Sequence, residues 1–167
     1  MDRLWAPWRI QFIQDLRDQK GGCVFCEMVN QQNNDKENLI LYRGKNIFVV
    51  MNKYPYNNGH LLVIPYSHKA KLVDLKPQER QEMLTAVSFC TEIIEKELNA
   101  DGFNCGMNIG KAAGAGIEDH LHLHVVPRWV GDSNFLPVLS DTRSIPEYLQ
   151  DTYSKLISSF DKLVVNR

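Results

Sequence analysis

The sequence predicts an α+β fold, a mostly antiparallel sheet with one central helix and one C-terminal helix. Three observations carry this. Short apolar runs alternate with turn signals over residues 39–65. One long apolar stripe at three- and four-residue steps fills residues 77–98. Histidine alternates with aliphatic residues over 120–125, the period-two signature of a strand.

Along the chain, residues 1–20 combine the anchors Trp5, Pro7 and Trp8 with a short helical pattern at Ile10, Phe12, Ile13 and Leu16, and read as a packing arm. Gly21-Gly22 breaks the chain before Cys23-Val24-Phe25-Cys26. Residues 30–38 are polar and aperiodic, hence a loop. Strands follow at 39–43 and 46–51, with Gly44 at their turn. Pro55, Asn57, Asn58 and Gly59 mark a turn cluster, in which Asn57 and Asn58 read simply as turn residues. Phe48 reads as core. Leu61–Ile64 is a further strand, stopped by Pro65.

The central helix spans 77–98. Pro77 suits its first turn, and Met83, Val87, Cys90, Ile94 and Leu98 form the stripe. Asp101-Gly102 ends it. A strand over 103–109, a small-residue run Gly110–Gly116 and a strand over 120–127 come next. A terminal helix starts at Ser144, where Ser144 and Glu147 have capping-box spacing. Leu149, Tyr153, Leu156, Phe160 and Leu163 continue it at helical steps. There is no internal repeat and no low-complexity tract.

A chain of 167 residues fits one domain, residues 1–167. Hydrophobic content of 44% and charged content of 23% are those of a soluble globular protein. The formal charge of −1 argues against sequence-blind nucleic-acid binding, which draws on a basic excess. No apolar run is long enough to span a membrane. The first residues lack a signal-peptide core, so the expected location is cytoplasmic. In a reducing compartment the Cys23/Cys26 pair points to metal or redox work rather than a disulfide framework. Cys90 and Cys105 stand alone.

The segment His120-Leu121-His122-Leu123-His124-Val125-Val126 carries the chemistry. On a strand, Leu121, Leu123 and Val125 face the core and the three imidazoles line the other face, roughly 6–7 Å apart. Three histidines on one face are poor packing material. Two readings compete: a triple-histidine zinc site, or a nucleophile with helpers. Even spacing on a flat strand sets the outer two about 13 Å apart. That makes a three-ligand site awkward and favours separate roles.

This segment resembles the histidine-triad pattern without a gap. Other motifs agree in order and spacing: Cys23-Val-Phe-Cys26, Asn58-Gly59-His60-Leu-Leu-Val-Ile-Pro65, His68, Asn108-Ile109-Gly110, the Gly114–Gly116 loop, and Pro127-Arg128. The resemblance covers roughly residues 20–130. The flanks Leu4-Trp5-Ala6-Pro7-Trp8-Arg9 and Arg128–Phe135 resemble phosphorylase-like members near the fragile-histidine-triad branch.

The resemblance implies specific roles. His122 attacks the α-phosphorus of a nucleotide and forms a nucleotidyl-histidine; a neutral imidazole is available for this at neutral pH. His124 contacts the phosphate and assists the leaving group, as its protonated form can. Asn108 meets a phosphate oxygen, and Gly114, Ala115, Gly116 and Ile117 offer backbone N–H groups. Asn52 contacts the ribose, and His60 belongs to the nucleotide-binding set beside the site. A structural zinc is implied on Cys23, Cys26, His68 and His120. The implied partners are a nucleotide substrate and a second copy of the chain, with no membrane and no nucleic acid.

One departure bears on the acceptor. Fragile-histidine-triad hydrolases carry a glutamine in the loop before the triad, where this chain has Ala115-Gly116 in a loop one residue longer. That favours phosphate as acceptor, with Lys111 and Arg128 as nearby positive charges. Hydrolysis of dinucleoside polyphosphates or nucleoside phosphoramidates stands as the alternative within the enzyme class. A slow-turnover nucleotide-binding regulator stands as the alternative outside it. DNA-end processing of the aprataxin kind would need a basic element that the tail does not provide.

Overall fold

A computed structural model describes residues 22–31, 33–132 and 145–165. The N-terminal arm, Ser144 and Ser133–Phe135 therefore lie outside the described residues. Five strands form one sheet in the order β1-β2-β3-β5-β4, each neighbouring pair antiparallel. They are β1 (Ile40–Arg43), β2 (Ile47–Met51), β3 (Leu61–Pro65), β4 (Gly102–Gly106) and β5 (Leu123–Arg128). The helices are α1 (Val24–Asn30), α2 (Pro77–Leu98) and α3 (Leu149–Val165). This is the α+β architecture the sequence predicts, and α2 has the expected boundaries.

Burial explains the strand order. Every residue of β2 and β3 is buried, as near-continuous apolar strands in the middle of a sheet should be. Phe48 lies in this core, stacked on Tyr66. α2 packs on β2, β3 and β5, and α3 packs on α2 and β1. α2 buries Met83, Ala86, Phe89, Cys90, Ile93 and Ile94 on one face. At its start the Glu79 carboxylate accepts the Lys76 N–H at 2.6 Å, and at its end Asn99 takes the left-handed conformation that closes the last turn. Glu82 accepts the backbone N–H groups of Lys45 and Asn46, pinning the β1–β2 turn to the helix.

Four expectations are corrected. The triad strand begins at Leu123 rather than residue 120, because Leu121 bonds to the segment after β3 instead of to its ladder. The Leu121 N–H donates to the Lys69 carbonyl at 2.7 Å. β4 runs from Gly102 to Gly106, shorter than 103–109, since Gly110 at φ 79° turns the chain away. α3 begins at Leu149 and not at Ser144. Pro146 disfavours helical backbone at the residue before it, and Glu147 accepts from Thr152 and Lys155 instead of closing a capping box. Asn57 and Asn58 do more than turn the chain. Asn57 donates to the Pro127 carbonyl and to Asp132, and Asn58 accepts from Thr152 on α3.

α1 was not expected. Its seven residues are too few for a periodic signal, and tertiary contacts hold it. Phe25 is buried, and Arg43 donates to the carbonyls of Met28 and Val29 at its C-terminal end while bridging to Asp35. This places the two cysteines at the foot of a short helix beside the triad.

Candidate active site

The turn between β2 and β3 delivers His60. Gly59 sits at φ 69°, and a Cβ there would lie 2.6 Å from the Leu98 side chain, so glycine answers both the backbone twist and the close approach. His60 is fully buried. Its Nδ1 accepts the Tyr56 N–H at 3.0 Å and faces the Asn52 amide nitrogen at 3.3 Å. Its proton therefore sits on Nε2, which donates to His124 Nδ1 at 2.9 Å. Neutral His124 consequently carries its own proton on Nε2, and that buried nitrogen has no partner among the described residues. An orphaned buried donor at the edge of a site is a ready acceptor-binding position.

His122 is oriented by a different device. Its Nδ1–H donates to the His120 carbonyl at 3.0 Å, which leaves the lone pair on Nε2. Phe25 packs edge-on against both His120 and His122, with ring centroids 5.4 and 5.2 Å away. The His122 and His124 rings meet at 4.9 Å. The evenly spaced comb expected of the triad is thus replaced by a pair, His122 and His124, with His120 turned elsewhere.

His120 faces the cysteines. Its Nε2–H donates to the Pro65 carbonyl at 2.8 Å, leaving the Nδ1 lone pair 3.2 Å from Cys23 Sγ and 3.6 Å from Cys26 Sγ. His68 Nδ1 lies 3.4 Å from Cys26 Sγ. One ligand atom from each of Cys23, Cys26, His68 and His120 falls within 4.8 Å of every other. A tetrahedral zinc with Zn–S near 2.3 Å and Zn–N near 2.0 Å needs ligand atoms about 3.3–3.8 Å apart, so the set fits that ion.

Burial, and then the Cys23 thiol beside it, push the Cys26 thiol up. The sequence motif reached all four residues; the carbonyl that fixes the His120 tautomer was not visible in it.

Burial disfavours the charged forms of His60, His122 and His124. Burial, then His124 and His122, push the His60 pKa down to about 3. Burial, then His122, push His124 down to about 4. Burial lowers His122 as well, against the opposing pull of its bond to the His120 carbonyl. His124 is therefore a neutral hydrogen-bond donor at physiological pH, and the expected protonated form is corrected.

A stability consequence follows. The unfolded chain takes up protons at these histidines near pH 6.5 and the folded chain only near 4 and 3. The contribution is complete above pH 6.5 and is lost as pH falls toward 4. Each pH unit in that interval removes up to about 1.4 kcal/mol per histidine kept neutral. Urea midpoints measured at pH 7 and pH 5 should drop accordingly, and a midpoint unchanged across that interval would contradict the buried-neutral assignment.

Other expected positions come out unevenly. His60 has both ring nitrogens engaged by protein, so it stands behind His124. Asn52 is half-buried, its Oδ1 accepting the Tyr54 N–H at 2.9 Å. Asn108 is half-buried after β4. In the loop before the triad, Lys111–Ala113 forms a 3-10 turn. The N–H groups of Gly114 and Ala115 bond to the carbonyls of Lys111 and Gly110, so those two are not free donors. Among the described residues no hydrogen bond occupies the N–H of Gly116 or Ile117. Lys111 is exposed. Arg128 is paired with Asp132 through two bonds of 2.6 and 2.7 Å and also reaches Asn104.

Tyr56 and Phe25 were missed, Phe25 despite lying inside the CxxC. A cavity of about 630 Å³ lies apart from this site, between Leu98, Trp129, Asp132 and Glu147, and holds no histidine.

The profile of the HIT domain family matches residues 33–130. A protein of Mycobacterium tuberculosis named AP-4-A phosphorylase is 37% identical over 157 residues, covering 91% of this chain and 80% of its own length. The asymmetrical bis(5'-nucleosyl)-tetraphosphatase of Schizosaccharomyces pombe is 36% identical over 93 residues, 56% of this chain and 50% of its own. Among solved structures, a zinc-bound histidine triad family protein from Mycobacterium smegmatis superposes with a TM-score of 0.70 at 31% identity. It covers 87% of this chain and 98% of its own. The profile match, the extended identity and the arrangement of His120, His122 and His124 agree, and the chain belongs to the HIT domain family.

Proposed function

We infer that this enzyme cleaves dinucleoside polyphosphates, diadenosine tetraphosphate foremost, by transferring a nucleotidyl group through His122 to inorganic phosphate. The observation that carries this is the pairing of two imidazoles in complementary states: His122 with its lone pair on Nε2, His124 with its proton on Nε2. His122 Nε2 forms a bond to the α-phosphorus while the bond to the bridging oxygen breaks and its electron pair leaves with ATP. The nucleotidyl-imidazolium so formed keeps its Nδ1–H on the His120 carbonyl, which spreads the new positive charge. Phosphate then attacks the same phosphorus from the opposite side, releasing ADP and restoring neutral His122. A polyphosphate leaving group needs no full proton transfer, so a hydrogen bond from neutral His124 suffices. Gly116 and Ile117 supply backbone N–H donors, Asn108 a side-chain amide, and Asn52 a contact for the ribose.

The likeness to the Mycobacterium tuberculosis phosphorylase supports phosphate as acceptor, and so does a loop without a glutamine side chain. The decisive experiment is incubation with diadenosine tetraphosphate at several phosphate concentrations. The expected products are ADP and ATP, at a rate that rises with phosphate. AMP and ATP at every phosphate concentration would make the enzyme a hydrolase, the reading that the likeness to the Schizosaccharomyces pombe tetraphosphatase favours.

Cys23, Cys26, His68 and His120 would hold a structural zinc. Four protein ligands would close the coordination sphere, so these residues would tie α1 to the triad through the ion and leave the bond-making to the histidines. Ligand thiols that must stay reduced suit a cytoplasmic protein. β4 is an edge strand whose Asn104, Cys105 and Gly106 are exposed, and it supports a homodimer formed through that edge. Sedimentation at micromolar concentration should read two chains, and a monomer there would remove the dimer.

A further inference from the structure

We propose that Tyr56 is a positioning residue of the reaction: its backbone N–H sets the tautomer of His60, and its ring keeps the tautomer of His124 by shielding the His60–His124 pair from water. The inference rests on the reading of His124 as the phosphate's hydrogen-bond donor. Three observations meet at this residue. The Tyr56 N–H is the donor that places the His60 proton on Nε2. The Tyr56 ring lies over the same histidine, with centroids 4.8 Å apart and 32° between planes. It also stacks on His124 at 5.6 Å and 19°. One residue thus covers both members of the relay and orders the first of them.

The surrounding turn serves the same end. The Asn52 N–H donates to the His60 carbonyl, and the His60 N–H donates to the Asn57 carbonyl. The turn is wrapped round one imidazole. Tyr56 is itself 46% exposed, on the solvent side of that turn.

The physical argument concerns competition for a proton. An imidazole in water exchanges between its two neutral tautomers, because water donates and accepts equally well at either nitrogen. His124 is useful only with the proton on Nε2, and it holds that state because His60 donates to its Nδ1. Water reaching the His60–His124 contact would offer Nδ1 another partner and loosen the ring. A flat apolar cover on one face of both rings blocks that approach without consuming a polar atom. Substituting the ring leaves the backbone N–H in place, so the two contributions of Tyr56 are separable.

The test uses the full-length protein and the variants Y56A and Y56F. Long-range nitrogen–proton correlation spectra of unliganded protein at neutral pH read the tautomer of His60 and His124 directly. Wild type and Y56F should both show the proton on Nε2 of each ring, and Y56A should show His124 averaged between tautomers. Kinetically, Y56A should lose about 10- to 100-fold in kcat with KM for the nucleotide within about threefold. Y56F should be near wild type, because the ring and not the hydroxyl is at work.

A merely structural residue would lower the melting temperature without moving the tautomer. Wild-type tautomers in Y56A, or a Y56F as slow as Y56A, would overturn the proposal. The spectra need no substrate, so they judge Tyr56 even if His122 proves not to be the nucleophile. That separate failure would show as full activity in H122A.

Discussion

Replacing His122 with alanine is expected to lower the rate of nucleotidyl transfer by about 10⁴-fold or more while nucleotide affinity stays within a few fold. The size of the effect comes from what is removed. The donors proposed for the phosphate oxygens, His124, Gly116 and Ile117, remain, but no lone pair stands in line for the α-phosphorus. The neighbouring histidines cannot replace it. His124 presents a proton where a lone pair is needed, and its own lone pair is taken by His60. His120 directs its lone pair toward the cysteines. Single-turnover measurements with diadenosine tetraphosphate, beside equilibrium binding of a non-cleaved nucleotide, separate the two quantities. A variant that turns over at near wild-type rate would end the covalent mechanism.

Loss of the metal is expected to be the largest single blow to stability. One zinc per chain should be found by metal analysis, and chelation or Cys23→Ser should lower the melting temperature by about 10 °C or more. A structural site is worth several kcal/mol of folding free energy, and for a chain of this size each kcal/mol moves the midpoint by about 2–4 °C. Catalysis should fall with it. The His120 ring is held between the cysteines and the Pro65 carbonyl, and its own carbonyl holds the His122 proton. Freeing the His120 ring loosens the nucleophile one step away. Carefully purified protein without zinc, melting at the same temperature with and without chelator, would remove the metal from the account.

Much of this organisation is legible in the residues. α2 is readable at both ends because proline fits its first turn and its stripe repeats without interruption to Leu98. β2 and β3 are readable because fully buried strands are apolar at every position. The triad is readable as a site because three imidazoles in strict alternation have no packing rationale.

Periodicity fails where the structure is made by single contacts. α1 has seven residues and owes its existence to Phe25 against two imidazoles and Arg43 at its last carbonyls. The roles of His60 and Tyr56 depend on where one turn aims a backbone N–H. Arg128 offered a positive charge beside the triad, and the turn to Asp132 captured it. The start of α3 was read from a capping-box spacing, whereas the Glu147 carboxylate is taken by Thr152 and Lys155. Each miss is a single specific contact overriding a local pattern.

A nucleotide is expected to become covalently bound to His122 during turnover. The most direct measurement is a rapid acid-free quench of wild-type enzyme with diadenosine tetraphosphate in the absence of phosphate, followed by proteolysis and mass spectrometry. The expected result is the mass of one AMP on the peptide carrying the triad, localised to His122, and its disappearance as ADP when phosphate is added before the quench. An adduct on any other residue, or a peptide that never carries AMP while product accumulates, would contradict it.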